Sequence, residues 1–173
     1  MDFVDILQTY FRGERLEAAF FILPAGLVLL ALGAVALKAE HGGFAWGVAL
    51  PCFGFGLLLV IVGVTVAART PSQVAALLGG YEVNAVQMLQ AEIARMAQVS
   101  RLFAWTLPAF GALAVVGLVL RFGVPWEWAR GAGAVLVLAA GVGMLIDGFA
   151  ERRAKVYIAA LEQAAEAKGV GAR

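Results

Sequence analysis

Phe44 to Ala68 is a run of 25 residues without one charged side chain. A soluble core does not need such a run, but a bilayer does: about 20 apolar residues in a helix cross a hydrocarbon slab of about 30 Å. Lipid offers backbone amides no hydrogen-bonding partner, so a spanning segment must satisfy them within its own helix. Hydrophobic residues make up 62% of the 173 and charged ones 14%, against about 45–50% and about 25% in a soluble domain. The excess lies in blocks. Ala18 to Leu37 is uncharged over 20 residues and Leu102 to Leu120 over 19, and residues 131–150 carry a single charge, Asp147.

These blocks predict an all-α integral membrane protein, a single membrane domain over residues 1–173 with spans at 18–37, 44–68, 102–120 and 131–150. Residues 38–43 are too short a connector for anything but a hairpin, and Pro125, Trp126 and Trp128 mark a second turn. The expected architecture is a four-transmembrane-helix bundle made of two antiparallel hairpins.

The remaining segments read as amphipathic helices. In residues 1–16, Phe3, Ile6, Leu7, Tyr10 and Phe11 recur at helical spacing, which suits a helix lying in the membrane interface or packed under the bundle. The acids of this segment precede Arg12 and Arg15, unlike a signal-peptide leader, so the first apolar run is expected to remain as a span. In the 70–101 segment, Pro71 and Ser72 are read as a stop and Gly79-Gly80 as the end of a short helix. From there Val86, Leu89, Ile93 and Met96 form a seam on a long helix, roughly 84–121. The stripe Tyr157, Ile158, Leu161, Ala165 extends the last span over 151–167, with Gly169 and Gly171 fraying its end.

Lysine and arginine set the orientation. The two turns hold three of them, Lys38, Arg121 and Arg130, and the other segments hold ten. Both termini and the 70–101 segment are therefore expected in the cytoplasm, with Trp46, Trp126 and Trp128 at the outer interface and Trp105 at the inner one. A compact alanine- and glycine-rich chain suggests a bacterial inner (plasma) membrane.

The halves carry matching signs. Leu23-Pro24-Ala25 resembles Leu107-Pro108-Ala109, Gly33 matches Gly117, and Gly54 and Gly56 parallel Gly131 and Gly133. A duplication with both copies starting inside is one reading, and chance in low-complexity apolar sequence is the other. Pro24, Pro51 and Pro108 are candidate kinks or hinges. Small residues four apart, Gly63/Ala67, Ala129/Gly133 and Ala139/Gly143, suit close helix packing.

No catalytic constellation is visible. Ser72 and Ser100 are the only serines and His41 the only histidine, so no serine triad is plausible. Cys52 reads as a small buried hydrophobe and His41 as a solvated loop residue. No zinc, haem, iron–sulfur or phosphate-loop spacing exists, so no cofactor and no metal site is expected. A net charge of +1 gives no field for nucleic acid.

The function expected is therefore non-enzymatic: assembly through helix–helix contacts, as a homo-oligomer or as an accessory subunit of a membrane complex. The partners are the lipid bilayer and either itself or another membrane protein. The alternative is an oligomeric ion channel or membrane-permeabilising effector, with Asp147 or Thr65 at a constriction and Arg101 as a basic partner for Asp147. An acid inside a span is costly and marks a candidate site. A small-molecule transporter is disfavoured, because few polar side chains converge at mid-membrane.

Overall fold

The computed structural model describes residues 2–169, all of them in helices or short connectors, with no strand among them. There are three long helices: α1 Phe3–Ala39, α2 Gly43–Gly123 and α3 Glu127–Ala167. Each is long and apolar enough to cross a membrane. Gly171, assigned above to the frayed end, lies outside the described residues. The helix before it closes at Gly169, whose φ of 73° is the left-handed stop a glycine permits.

Four apolar runs thus occupy three helices, because the second and third share α2. Inside α2, one residue has non-helical angles, Asn84 at φ −151° and ψ 86°. There the chain doubles back. A Cβ on Gly80 would lie 3.3 Å from Met88 Cγ, whereas eight residues of straight helix would separate them by about 12 Å. Asn84 caps the returning arm, its Oδ1 accepting the Gln87 amide at 3.1 Å. α2 therefore has two arms, 43–83 and 85–123.

The expected stop at Pro71 and the expected helix end at Gly79-Gly80 do not occur; helix continues through both to the bend. A proline takes one donor from the preceding turn. Around Pro71, side-chain hydroxyls bond nearby carbonyls: Thr70 Oγ1 donates to the Val66 carbonyl at 2.6 Å and Ser72 Oγ to that of Arg69 at 2.8 Å. Pro51 and Pro108 also sit inside unbroken helix. Pro24 directly follows a wider π-turn, Ala18–Ile22, which loosens the ladder where the proline lacks its donor.

The packing changes character along the helices. In the half that carries the termini and the bend, apolar stripes face inward. Leu7, Phe11, Leu89, Met96, Tyr157 and Leu161 are fully buried in one cluster. The amino-terminal helix thus packs under the bundle, as a direct continuation of the first apolar run. In the other half, large apolar side chains such as Phe21, Leu27, Leu50, Leu57 and Ile61 point outward. The inner core there is small, centred on Leu29, Cys52 and Val135.

Glycines let the backbones of that apolar half meet. A Cβ on Gly26 would lie 2.8 Å from the Gly56 carbonyl oxygen, and one on Gly63 2.9 Å from the Leu23 nitrogen. Gly117 and Gly133 lie against each other in the second antiparallel pair. Gly33 meets Phe53 and Gly117 meets Val137, so a shift of 84 residues carries one contact onto the other. The same shift relates the parallel contact between the first arm of α2 and α3. There Gly47 lies on Trp128 and Gly131 lies on Phe44, a reciprocal pairing of the kind a two-fold axis produces. The register corrects one detail of the sequence comparison: the counterpart of Gly131 is Gly47, and Gly54 and Gly56 have no such relation to Gly131 and Gly133. Glycine content alone cannot set register, because every nearby offset aligns some glycine.

Candidate functional site

The polar chemistry concentrates where the apolar half meets the charged half. Two acids of α1, Glu14 and Glu17, follow its aromatic stripe. Glu14 pairs with Arg69 at 3.4 Å and Glu17 pairs with Arg153. Arg69 and Arg153 are also 84 residues apart, so equivalent positions in the two halves both reach α1.

Between these pairs lies a chamber of about 200 Å3. Its walls include Tyr10, Arg95, Phe103 and Asp147 besides the two ion pairs. Asp147 is half-buried and makes no ion pair within 4.0 Å among the described residues. The 84-residue shift places Asp147 where the first half has Gly63, and Phe110 where it has Gly26. Backbones meet at Gly26 and Gly56, but the Phe110 ring lies between the helices over Gly143. That ring holds the second pair of helices apart at this end, and Asp147 lines the space it leaves.

Deeper in the charged half, a buried carboxylate organises the core. Glu92 is 3% exposed. It accepts from Arg95 Nε at 2.8 Å, from Arg95 Nη2 at 2.6 Å and from the Tyr157 hydroxyl at 3.0 Å. The hydrogen bond to Glu92 raises the Arg95 pKa above its ordinary value. The Arg95 guanidinium also stands over the Phe11 ring at 5.8 Å. Tyr10 stacks on Tyr157 with centroids 4.5 Å apart. Burial, assisted by the charge of Glu14, pushes the Tyr10 phenol up to about 12, and burial raises Tyr157 still further.

Of the residues singled out from sequence, only Asp147 lines the chamber. Arg101 is exposed and forms no ion pair with Asp147; its partners in the chamber wall are Arg69, Arg95 and Arg153. Arg101 belongs to the outward face of its helix, one turn and a half from Arg95. Thr65 is exposed on the outer apolar surface. Gly63, Gly133 and Ala139 are buried between helices, while Ala67 and Gly143 are half-buried.

The seam read as Val86, Leu89, Ile93, Met96 is rotated. Val86 is 39% exposed and the buried line is Met88, Leu89, Glu92, Met96. A search for apolar periodicity excludes Glu92 by definition. The signal was present as one glutamate three residues after Leu89 and four before Met96, with an arginine at i+3 to neutralise it.

No group of three or more His, Cys, Asp or Glu side chains that could hold a metal ion exists among the described residues. Comparison with protein-family models, with curated proteins and with solved structures finds no match to this chain.

Proposed function

We propose that this chain is an integral membrane protein that crosses the bilayer four times and acts without enzymatic chemistry, through helix–helix assembly. It works as a homo-oligomer or as an accessory subunit of a membrane complex. Both tails and the bend at Asn84 lie in the cytoplasm, and the membrane is a bacterial inner (plasma) membrane.

The support for spanning is the change of packing along the same helices. α3 has 41 residues, a rod of about 60 Å at about 1.5 Å per residue, twice the thickness of the hydrocarbon. One half of each rod hides its apolar side chains, as water demands, and the other displays them, as lipid permits.

One observation carries the assembly reading. In the apolar half, Cβ atoms added to Gly54, Gly141 and Gly148 would meet nothing within 4 Å. The glycines that close the bundle are others, so these leave notches on its outside. Lipid tails gain nothing from a notch, whereas a neighbouring helix gains close van der Waals contact. The stripes of the charged half are already used within the chain, so assembly runs through the apolar half.

The test is the mass of the purified particle in several mild detergents, with identification of co-purifying proteins. A particle larger than one chain is expected, reduced by Gly141→Leu. One chain in every detergent, with nothing co-purifying, overturns the reading. Tags on the two tails, probed from each side, should report the same compartment.

A channel is the second reading, and the unpaired Asp147 beside the charged chamber favours it. Copies around an axis would conduct ions, and Asp147→Asn would change the conductance of planar bilayers. An electrically silent pure sample removes this reading.

A further inference from the structure

We infer that the crevice between α1 and α3, where the apolar half ends, holds an anionic phospholipid of the surrounding bilayer, with its phosphate on Arg152 and Arg153. The inference rests on the membrane-spanning reading.

The crevice has an apolar part and a basic part in sequence. Its apolar part is a groove of about 490 Å3, walled by Leu16, Phe21, Leu145 and Phe149, with Glu17 and Arg153 at one end. It opens sideways, since Phe21 is 69% exposed and Leu145 64%. Beyond Arg153 a second hollow of about 320 Å3 continues between the same helices, lined by Thr9, Tyr10 and Arg152 among others. An occupant of both must have an apolar chain and a polar head meeting at Arg153. Bilayer lipid meets that description and reaches the groove by lateral diffusion.

The charges call for an anion. Arg153 pairs with Glu17 through Nη2, but its Nε is buried and has no hydrogen-bond partner. Arg152 makes no ion pair among the described residues. One positive charge is thus left over, with donors on both arginines. A phosphodiester oxygen would satisfy the buried Nε and neutralise Arg152. Gly13 makes the room: a Cβ there would lie 3.0 Å from Arg153 Cδ and 3.3 Å from its Nε. A neutral headgroup leaves the excess charge uncompensated, so head charge decides the selectivity and the groove supplies the shared affinity for the chain.

Native mass spectrometry of the full chain in mild detergent tests this, with phosphatidylglycerol and phosphatidylcholine of matched chains as probes. Phosphatidylglycerol should be retained preferentially. Arg152→Gln, at an exposed and unpaired position, should lower its retention about tenfold, the factor expected for one lost charge-assisted interaction, and abolish the preference. Leu145→Trp, which fills the groove, should lower retention of both lipids. Equal retention of the two lipids by the wild type, or a preference that survives Arg152→Gln, overturns the proposal. A urea wash of membrane vesicles separates the two levels. A chain that stays with the vesicles yet shows no headgroup preference removes the lipid site alone; a chain that washes off removes the spanning reading and the site with it.

Discussion

The Tyr157 hydroxyl donates to Glu92 Oε1 at 3.0 Å, joining α3 to the returning arm of α2 inside an otherwise apolar cluster. A buried carboxylate left with fewer donors than it has in the fold costs free energy that no nearby water returns. Tyr157→Phe should therefore lower stability by about 1–3 kcal/mol. Glu92→Ala should cost about 3 kcal/mol, the low end for breaking a buried pair, because Arg95 keeps a third of its side chain in water. Replacing Glu92 and Arg95 together by methionine and leucine should recover much of that loss. Thermal unfolding in one detergent, followed by circular dichroism, compares the variants. A Glu92→Ala chain that melts with the wild type contradicts the account.

Tyr10 links stability to alkaline pH. Burial first, then the Glu14 charge, raises its pKa from 10.0 to about 12. The folded chain therefore holds this proton more tightly than the unfolded chain does. The contribution is fully present below pH 10, where both states are protonated, and is lost as pH rises through about 12. Tm should fall across that window, and Tyr10→Phe should flatten the slope. Tm values that do not change between pH 10 and 12 would show that the Tyr10 proton is not held by the fold.

Two classes of glycine should respond differently to a side chain. At Gly26 a Cβ would press on the Gly56 backbone, so Gly26→Val should destabilise the bundle by about 1–3 kcal/mol or more. At Gly54 and Gly141 there is open space. Leucine at either position should leave Tm within the shift that about 0.5 kcal/mol produces and reduce particle size in detergent. Unfolding and size-exclusion measurements on the same samples separate the classes. If Gly141→Leu unfolds the single chain, the distinction is wrong.

Asn84 holds the bend by capping the returning arm. Asn84→Ala should cost about 1 kcal/mol, and Asn84→Gly only a few tenths. Equal losses for the two substitutions, measured by denaturant unfolding, would assign the bend to packing rather than to the cap.

Much of the local structure is legible in the residues. The uncharged runs fall in helices, and the Phe3-Leu7-Phe11 stripe is the buried one. The hairpin turns fall at residues 40–42 and 124–126. What misled was punctuation. Pro71 and Gly79-Gly80 are stop signals by intrinsic preference, yet the helix passes through them because both flanks are held by packing and because hydroxyls occupy carbonyls near the proline. The real break, Asn84, is a single polar residue, and only its backbone angles reveal it.

The amino-acid sequence by itself determined that this chain is helical and that its apolar runs are long enough for a membrane, because charge and hydropathy are properties of residues taken one window at a time. Only the tertiary structure decided which faces those helices turn to one another. It placed Asp147 in a chamber away from Arg101, buried Glu92 under Tyr157 and set the 84-residue register between the halves. Those outcomes depend on pairs of residues from different helices, and a difference as small as Phe110 in place of Gly26 decides whether two backbones meet or leave a space.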